Sequence, residues 1–330
     1  MNARERLFAV MAGKTPDRLP NLNILMTFAA REIGVCYADY CTDYRNLVAG
    51  NLACAEKYGI DILTVMSDAF TEGSDLGMEI VYPKDEVPYP AAPLIKEPGD
   101  LLALKPVLGR RAENRLNAIR SYKQKAGTEY PVCGWVEGCF AQSADLRGVN
   151  EFLMDVFDRE AFLFDLLDFC FEQEMLLARA QIEAGADIIG VGDAICSVAG
   201  PTAYSEIAAD YERRLLGAIQ EMGAKTKLHI CGNTQPLLPY IPFEHCDIVD
   251  IDWMVDLQAA AAAAEGRSVL TGNYDPVAVV MDGSPEEIRR AVRDCAKTVG
   301  AKYATAAGCE IPRDTNPENL LAIHEAVCAL

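Results

Sequence analysis

A chain of 330 residues with 51% apolar content and a mean hydropathy of +0.05 can bury a large core, which excludes an intrinsically disordered protein. Its formal net charge of −19 leaves no basic stripe to neutralise phosphates, which argues against nucleic acid or an anionic membrane as a partner. No apolar run reaches the about 18 residues of a membrane span, and the charged start from Met1 to Arg18 does not read as a signal peptide. The 12 cysteines are scattered singly, without CxxC pairs, which fits reduced thiols in a cytoplasmic protein.

Residues 2–14 carry the pattern of an amphipathic helix, with Asn2 as N-cap and Glu5 at the capping-box position. Thr15-Pro16-Asp17-Arg18 is a turn, and a first strand is expected over 19–25. Residues 43–58 read as a helix that Gly59 stops. Asp61 to Ser67 is an apolar strand ending in Ser67-Asp68. Gly and Pro crowd 73–99, which predicts a long loop excursion with hairpin character. A helix follows over 100–127, then a strand near 131–137. Residues 149–184 predict two helices, 186–192 a strand and 202–222 a helix. Further strands fall at 227–232, 247–252, 268–273 and 303–308, with helices at 258–265, 285–299 and 317–330.

Several of these strands are apolar throughout, as strands covered on both faces are. Their alternation with helices implies a parallel sheet, and eight βα units make a TIM barrel. The expected architecture is a single α/β (β/α)8 TIM barrel occupying residues 1–330, with an N-terminal helical extension. A doubly wound open sheet is the alternative, but Gly190-x-Gly192 lacks the rest of a dinucleotide fingerprint.

Barrel chemistry sits at the C-terminal ends of the strands. Those ends carry Ser67-Asp68, Glu137, Asp193, His229-x-Cys231, Asp252, Asn273-x-Asp275 and Cys309-Glu310. Any one acidic residue there is ordinarily a helix cap or a solvated loop residue. In a strand, i and i+2 point the same way, so His229 and Cys231 project together where Gly232-Asn233 opens a loop. Imidazole and thiolate side by side form half of a tetrahedral zinc site, and Cys309 at the end of another strand completes a His-Cys-Cys set. The plain reading of each cysteine alone is a small buried hydrophobe. Cys170, Cys295 and Cys328 are read in that way, on helices. Cys139 lies at the right end of the barrel and is the reserve ligand. His245 falls in a connecting loop at the wrong end of its strand, and His324 on the last helix.

The chain resembles the uroporphyrinogen decarboxylase superfamily, and within it the corrinoid-linked methyltransferase branch. The resemblance runs over nearly the whole length. It rests on Arg4-Glu5-Arg6 with Thr15-Pro16-Asp17-Arg18-Leu19-Pro20, Ala186-Asp187-Ile188-Ile189, His229-Ile230-Cys231-Gly232-Asn233, Leu270-Thr271-Gly272-Asn273-Tyr274-Asp275-Pro276, and Gly308-Cys309-Glu310-Ile311-Pro312. The His-x-Cys with the late Gly-Cys-Glu is its specific part, and in methylcobamide:coenzyme M-type methyltransferases it binds zinc. The resemblance implies methyl transfer from a methylated corrinoid, delivered by a separate corrinoid protein, to a small thiol. It implies zinc ligation by His229, Cys231 and Cys309. Glu137, Asp193, Asp252 and Glu310 are candidates for positioning the substrate or supplying a fourth ligand. The decarboxylase branch carries an Arg-rich motif after the first strand, where this chain has the mostly apolar Asn23 to Glu32. Decarboxylation of a tetrapyrrole is therefore the runner-up activity, and the expected assembly is a monomer or homodimer.

Overall fold

In the computed structural model, which describes residues 1–158 and 161–330, the apolar runs pair side by side. The strands are β1 (Leu63–Thr64), β2 (Ile80–Val81), β3 (Tyr89–Pro90), β4 (Val132–Glu137), β5 (Ile188–Gly192), β6 (Lys225–His229), β7 (Ile248–Ile251), β8 (Val269–Tyr274) and β9 (Tyr303–Ala307). Seven of them form one sheet in the order β1-β4-β5-β6-β7-β8-β9, and every pairing is parallel. β4 to β7 are buried almost along their whole length, because helices cover the outside of the sheet and side chains fill the inside. This is an α/β fold of the TIM-barrel type.

The segment expected as the first strand behaves differently. Only Asn21 makes a sheet bridge, to Thr305. Its backbone still joins the two sheet edges: the Leu22 amide donates to Thr305 (2.8 Å), and the Asp61 amide donates to Asn21 (2.7 Å). Pro20 has no amide to give, and asparagine side chains take over main-chain partners: Asn23 Oδ1 accepts from the Ala307 amide at 2.8 Å. The chain then turns into a helix, Met26–Glu32, instead of continuing extended.

Other boundaries move for local reasons. The helix expected over 100–127 begins at Arg110, because the Asp75 carboxylate accepts from the amides of Gly109, Arg111 and Ala112 and caps it from a distance in sequence. The two helices expected over 149–184 are present as Val149–Asp158 and Ala161–Ala184, preceded by a further helix at Cys139–Arg147, and residues 159–160 lie outside the described residues. The helix expected over 202–222 starts at Cys196, bends at Gly200 and continues through a wide turn at Tyr204–Ala208 to Glu221. Within 73–99, β2 and β3 form the expected antiparallel hairpin. The first helix, Ala3–Met11, has its Asn2–Glu5 capping box, and Arg6 reaches from it to the buried Asp61 at 2.6 Å. No helix among the described residues is long and apolar enough to cross a membrane.

Candidate metal centre

His229 ends β6, Cys231 follows in the loop, and Cys309 lies just past β9. The fold brings the three together: His229 Nε2 is 2.8 Å from Cys231 Sγ, the two Sγ atoms are 3.6 Å apart, and Cys309 Sγ is 3.9 Å from Nε2. His229 is buried, while both cysteines are partly exposed, so the cluster meets solvent on its sulfur side. Two backbone features shape it. Gly232 turns the chain away from Cys231 with φ of 91°, a conformation that favours glycine. Gly308 brings the β9 loop close to the β7 loop, since a Cβ there would lie 2.4 Å from the Trp253 amide nitrogen.

Asp250 stands opposite His229 in the sheet register, and its Oδ2 is 2.8 Å from His229 Nδ1. Lys227, two residues before His229 on the same face of β6, bonds that same oxygen. Burial resists ionising Asp250, but Lys227 and His229 outweigh it and hold the carboxyl below its usual range. An ionised carboxylate only accepts hydrogen bonds, so His229 keeps a proton on Nδ1 and turns Nε2 toward the sulfurs. Burial likewise opposes a charge on the imidazole, yet Asp250 and Cys309 raise its pKa to about 9. The thiol pair splits: hydrogen bonding from Cys231, against burial and with help from His229, holds Cys309 well below the thiol range. Cys231 is pushed up by the same bond.

The other expected residues surround this cluster in distinct ways. Asp252 accepts from the Gly232 amide (2.5 Å) and the Trp253 amide (2.6 Å), tying the loop after Cys231 to the loop after β7. Glu310 accepts from the Thr27 amide and hydroxyl at 2.8 and 2.6 Å. Asp193 accepts from the Ala141 amide at 2.8 Å, while its own amide donates to the His229 carbonyl. It also belongs to a second buried cluster with Cys196 and Glu212, in which the Tyr204 hydroxyl donates to Glu212. Glu137 accepts from the Trp135 indole at 3.2 Å, and burial beside Glu72 pushes its pKa well above the carboxylate range. Ser67-Asp68 faces Arg111 and Arg115, and Asp275 caps the turn that follows it.

Cys139, the reserve ligand, is not part of the His229 cluster. It is buried at the start of its own helix, because β4 ends two residues earlier and Gly138 is the N-cap of the helix that follows. Cys170 is buried as expected and Cys295 partly so, whereas Cys328 is exposed on the outer side of the last helix. Asp250 and Lys227 are the neighbours of the cluster that strand-end reasoning passes over. Their signal is a charged residue two positions from a strand-end polar residue, Lys227 before His229 and Asp250 before Asp252. Two surface hollows lie elsewhere, about 870 Å³ around Arg45 and Asn114 and about 660 Å³ around Arg213 and Glu265. Neither holds comparable donor chemistry, so the donor set locates the site better than hollow size does.

The sequence is 32% identical over 208 residues to Methylcobamide:CoM methyltransferase MtbA of Methanosarcina mazei, a match spanning 62% of this chain and 60% of that protein. It is 27% identical over 296 residues to MtbA of Methanosarcina acetivorans, with 87% of each chain covered. Among solved structures, a methyltransferase from Methanosarcina mazei superposes with a TM-score of 0.88 at 21% identity, covering 99% of this chain and 98% of that one, which confirms the fold. The profile of the uroporphyrinogen decarboxylase (URO-D) family matches residues 2–330, and the chain belongs to that family of enzymes.

Proposed function

We propose that this protein transfers a methyl group from a methylated corrinoid to a thiol, with zinc held by His229, Cys231 and Cys309. The observation that carries this reading is the convergence of one imidazole nitrogen and two sulfurs within 3.9 Å at the strand ends of the barrel. Two thiolates and a neutral imidazole suit zinc and make up the three-protein-ligand set of its catalytic sites. The names of the methyltransferase relatives support the same chemistry. Bound by these three residues, zinc would supply the Lewis acidity that lowers the pKa of an entering thiol and makes it nucleophilic.

The chain's own groups prepare that chemistry. Asp250 fixes the tautomer and orientation of His229. Asp252 holds the two loops that carry Cys231 and Trp253 in place. Glu310 anchors the segment after Cys309 to Thr27, and Asp193 anchors the first turn of the helix after β4 at Ala141. Burial beside Glu72 favours the protonated form of Glu137, which lessens the negative charge at the barrel mouth. The substrate sulfur's lone pair forms the S–CH3 bond as the Co–CH3 bond breaks, and that electron pair stays on the corrinoid. The corrinoid comes on a separate protein that docks over the barrel mouth.

The test is to incubate zinc-loaded protein with methylcobalamin and a panel of thiols under anoxic conditions. Loss of the methylcobalamin absorbance together with a methyl thioether product is expected for at least one thiol. No transfer to any thiol, with conversion of uroporphyrinogen to coproporphyrinogen instead, would replace this reading with the decarboxylase one.

A further inference from the structure

Lys227 is an unusual residue for its place. It lies inside the barrel on β6, 3% exposed, where a lysine is ordinarily excluded. Its ammonium bonds Asp250 Oδ2, the oxygen that also receives His229 Nδ1–H. Asp250 Oδ1 has no hydrogen-bond partner among the described residues. The carboxylate is therefore held by one oxygen only, through Lys227 on one side and His229 on the other. The Trp135 ring closes the pocket, 5.8 Å from the Lys227 nitrogen and 6.2 Å from the imidazole centre. Gly190 and Gly192 on the neighbouring strand make room for that indole, since a Cβ at Gly190 would lie 2.3 Å from it.

A buried ion pair is weak evidence of a stability role, because desolvating both charges offsets most of their attraction. The sharing of one oxygen by a lysine and a histidine indicates a different role. An Asp250 carboxylate without Lys227 is free to swing either oxygen toward the imidazole, and its buried charge lacks a counterion. We propose that Lys227 is a positioning residue for the metal centre. It clamps Asp250 on His229 Nδ1, so that Nε2 stays aimed at Cys231 and Cys309, and it balances the Asp250 charge locally. The inference rests on the zinc reading above and adds to it a residue that touches neither metal nor substrate.

Three variants test it, Lys227→Met, Lys227→Arg and the double Lys227→Met/Asp250→Asn. The zinc dissociation constant is read by competition with a chromophoric chelator, beside the melting temperature of the metal-free protein. The ring ¹⁵N signals of His229 give a readout independent of activity. Lys227→Met is expected to weaken zinc binding by about 10–100-fold and to shift or broaden the His229 Nδ1–H signal, with Lys227→Arg restoring much of both. Should Lys227→Met not fold, the double variant decides, since it removes both charges together. Zinc binding in the double variant weaker by about tenfold or more, in a protein that melts like the wild type, supports the clamp. Zinc affinity equal to wild type in a folded Lys227→Met or in the double variant overturns it and leaves the zinc reading intact. Failure of the wild type itself to bind zinc overturns both.

Discussion

Cys231 Sγ and Cys309 Sγ lie 3.6 Å apart although 78 residues separate them in the chain. The barrel closes that separation by placing β6 and β9 three strands apart, with loops that bend toward one another over β7 and β8. Asp252 and Gly308 bring the loops together at the same point.

The first consequence is metal content. Protein prepared without chelators should contain about one zinc per chain. Cys231→Ala or Cys309→Ala should abolish binding, while Cys170→Ala and Cys295→Ala should retain it. Cys170 is buried on a helix, so its loss should lower stability by about 1 kcal/mol or somewhat more and nothing else. Elemental analysis and denaturant unfolding of the four variants check both halves.

The sulfur pair also predicts a redox behaviour. Metal-free protein treated with hydrogen peroxide should form a Cys231–Cys309 disulfide, two thiols giving up two hydrogens as peroxide is reduced to water. Peptide mapping under non-reducing conditions should find that linkage, and zinc should protect against it. A disulfide through the buried Cys139 or Cys170 instead would contradict the geometry.

The sequence showed the cysteines and the histidine but not what holds them. Strand alternation led to the pairing of His229 with Cys231, although β6 ends at His229 and Cys231 meets it from the loop, and the position of Cys309 near a strand end brought it across the barrel. Asp250 was not legible, because its role depends on the β6–β7 register that sets it opposite His229. Residues 19–25 read as a strand since they are apolar and extended, yet Pro20, Asn21 and Asn23 replace ladder bonds with side-chain bonds that no periodicity records. The start of the helix at Arg110 depends likewise on Asp75, distant in sequence.

A pH prediction concerns Asp68, which is fully buried between Arg111 and Arg115. Burial alone would raise its pKa, but the two guanidiniums lower it to about 2 from an ordinary 3.8. The folded state thus prefers the ionised form, and the stabilisation is present above pH 3.8 and lost as pH falls toward 2. Asp68→Asn should lower stability at neutral pH by about 3–5 kcal/mol, since it strands two buried cations. The gap to wild type should narrow in urea unfolding as the pH falls toward 2. A gap independent of pH would contradict the ion-pair assignment.

Glu174 should show the opposite sign. Both its oxygens are buried, and burial beside Glu72 raises its pKa well above the ordinary 4.5. The folded state holds a proton that the unfolded state loses, so wild-type stability falls as pH rises above 4.5 toward the raised value. Glu174→Gln, which cannot ionise, should gain on wild type as pH rises from 4.5 to neutrality. Paired unfolding curves at the two pH values check the direction.

The central claim, that His229, Cys231 and Cys309 hold zinc for thiol activation, is tested most directly by counting protons. Ordinary thiols have a pKa of about 8.5 and are mostly protonated at neutral pH. Adding 2-mercaptoethanol to zinc-loaded protein, with calorimetry repeated in buffers of different ionisation enthalpy, should register about one proton released per thiol bound. Cys309→Ala should release none. Binding of the thiol to wild-type protein shown to hold zinc, without any proton release, would contradict the account.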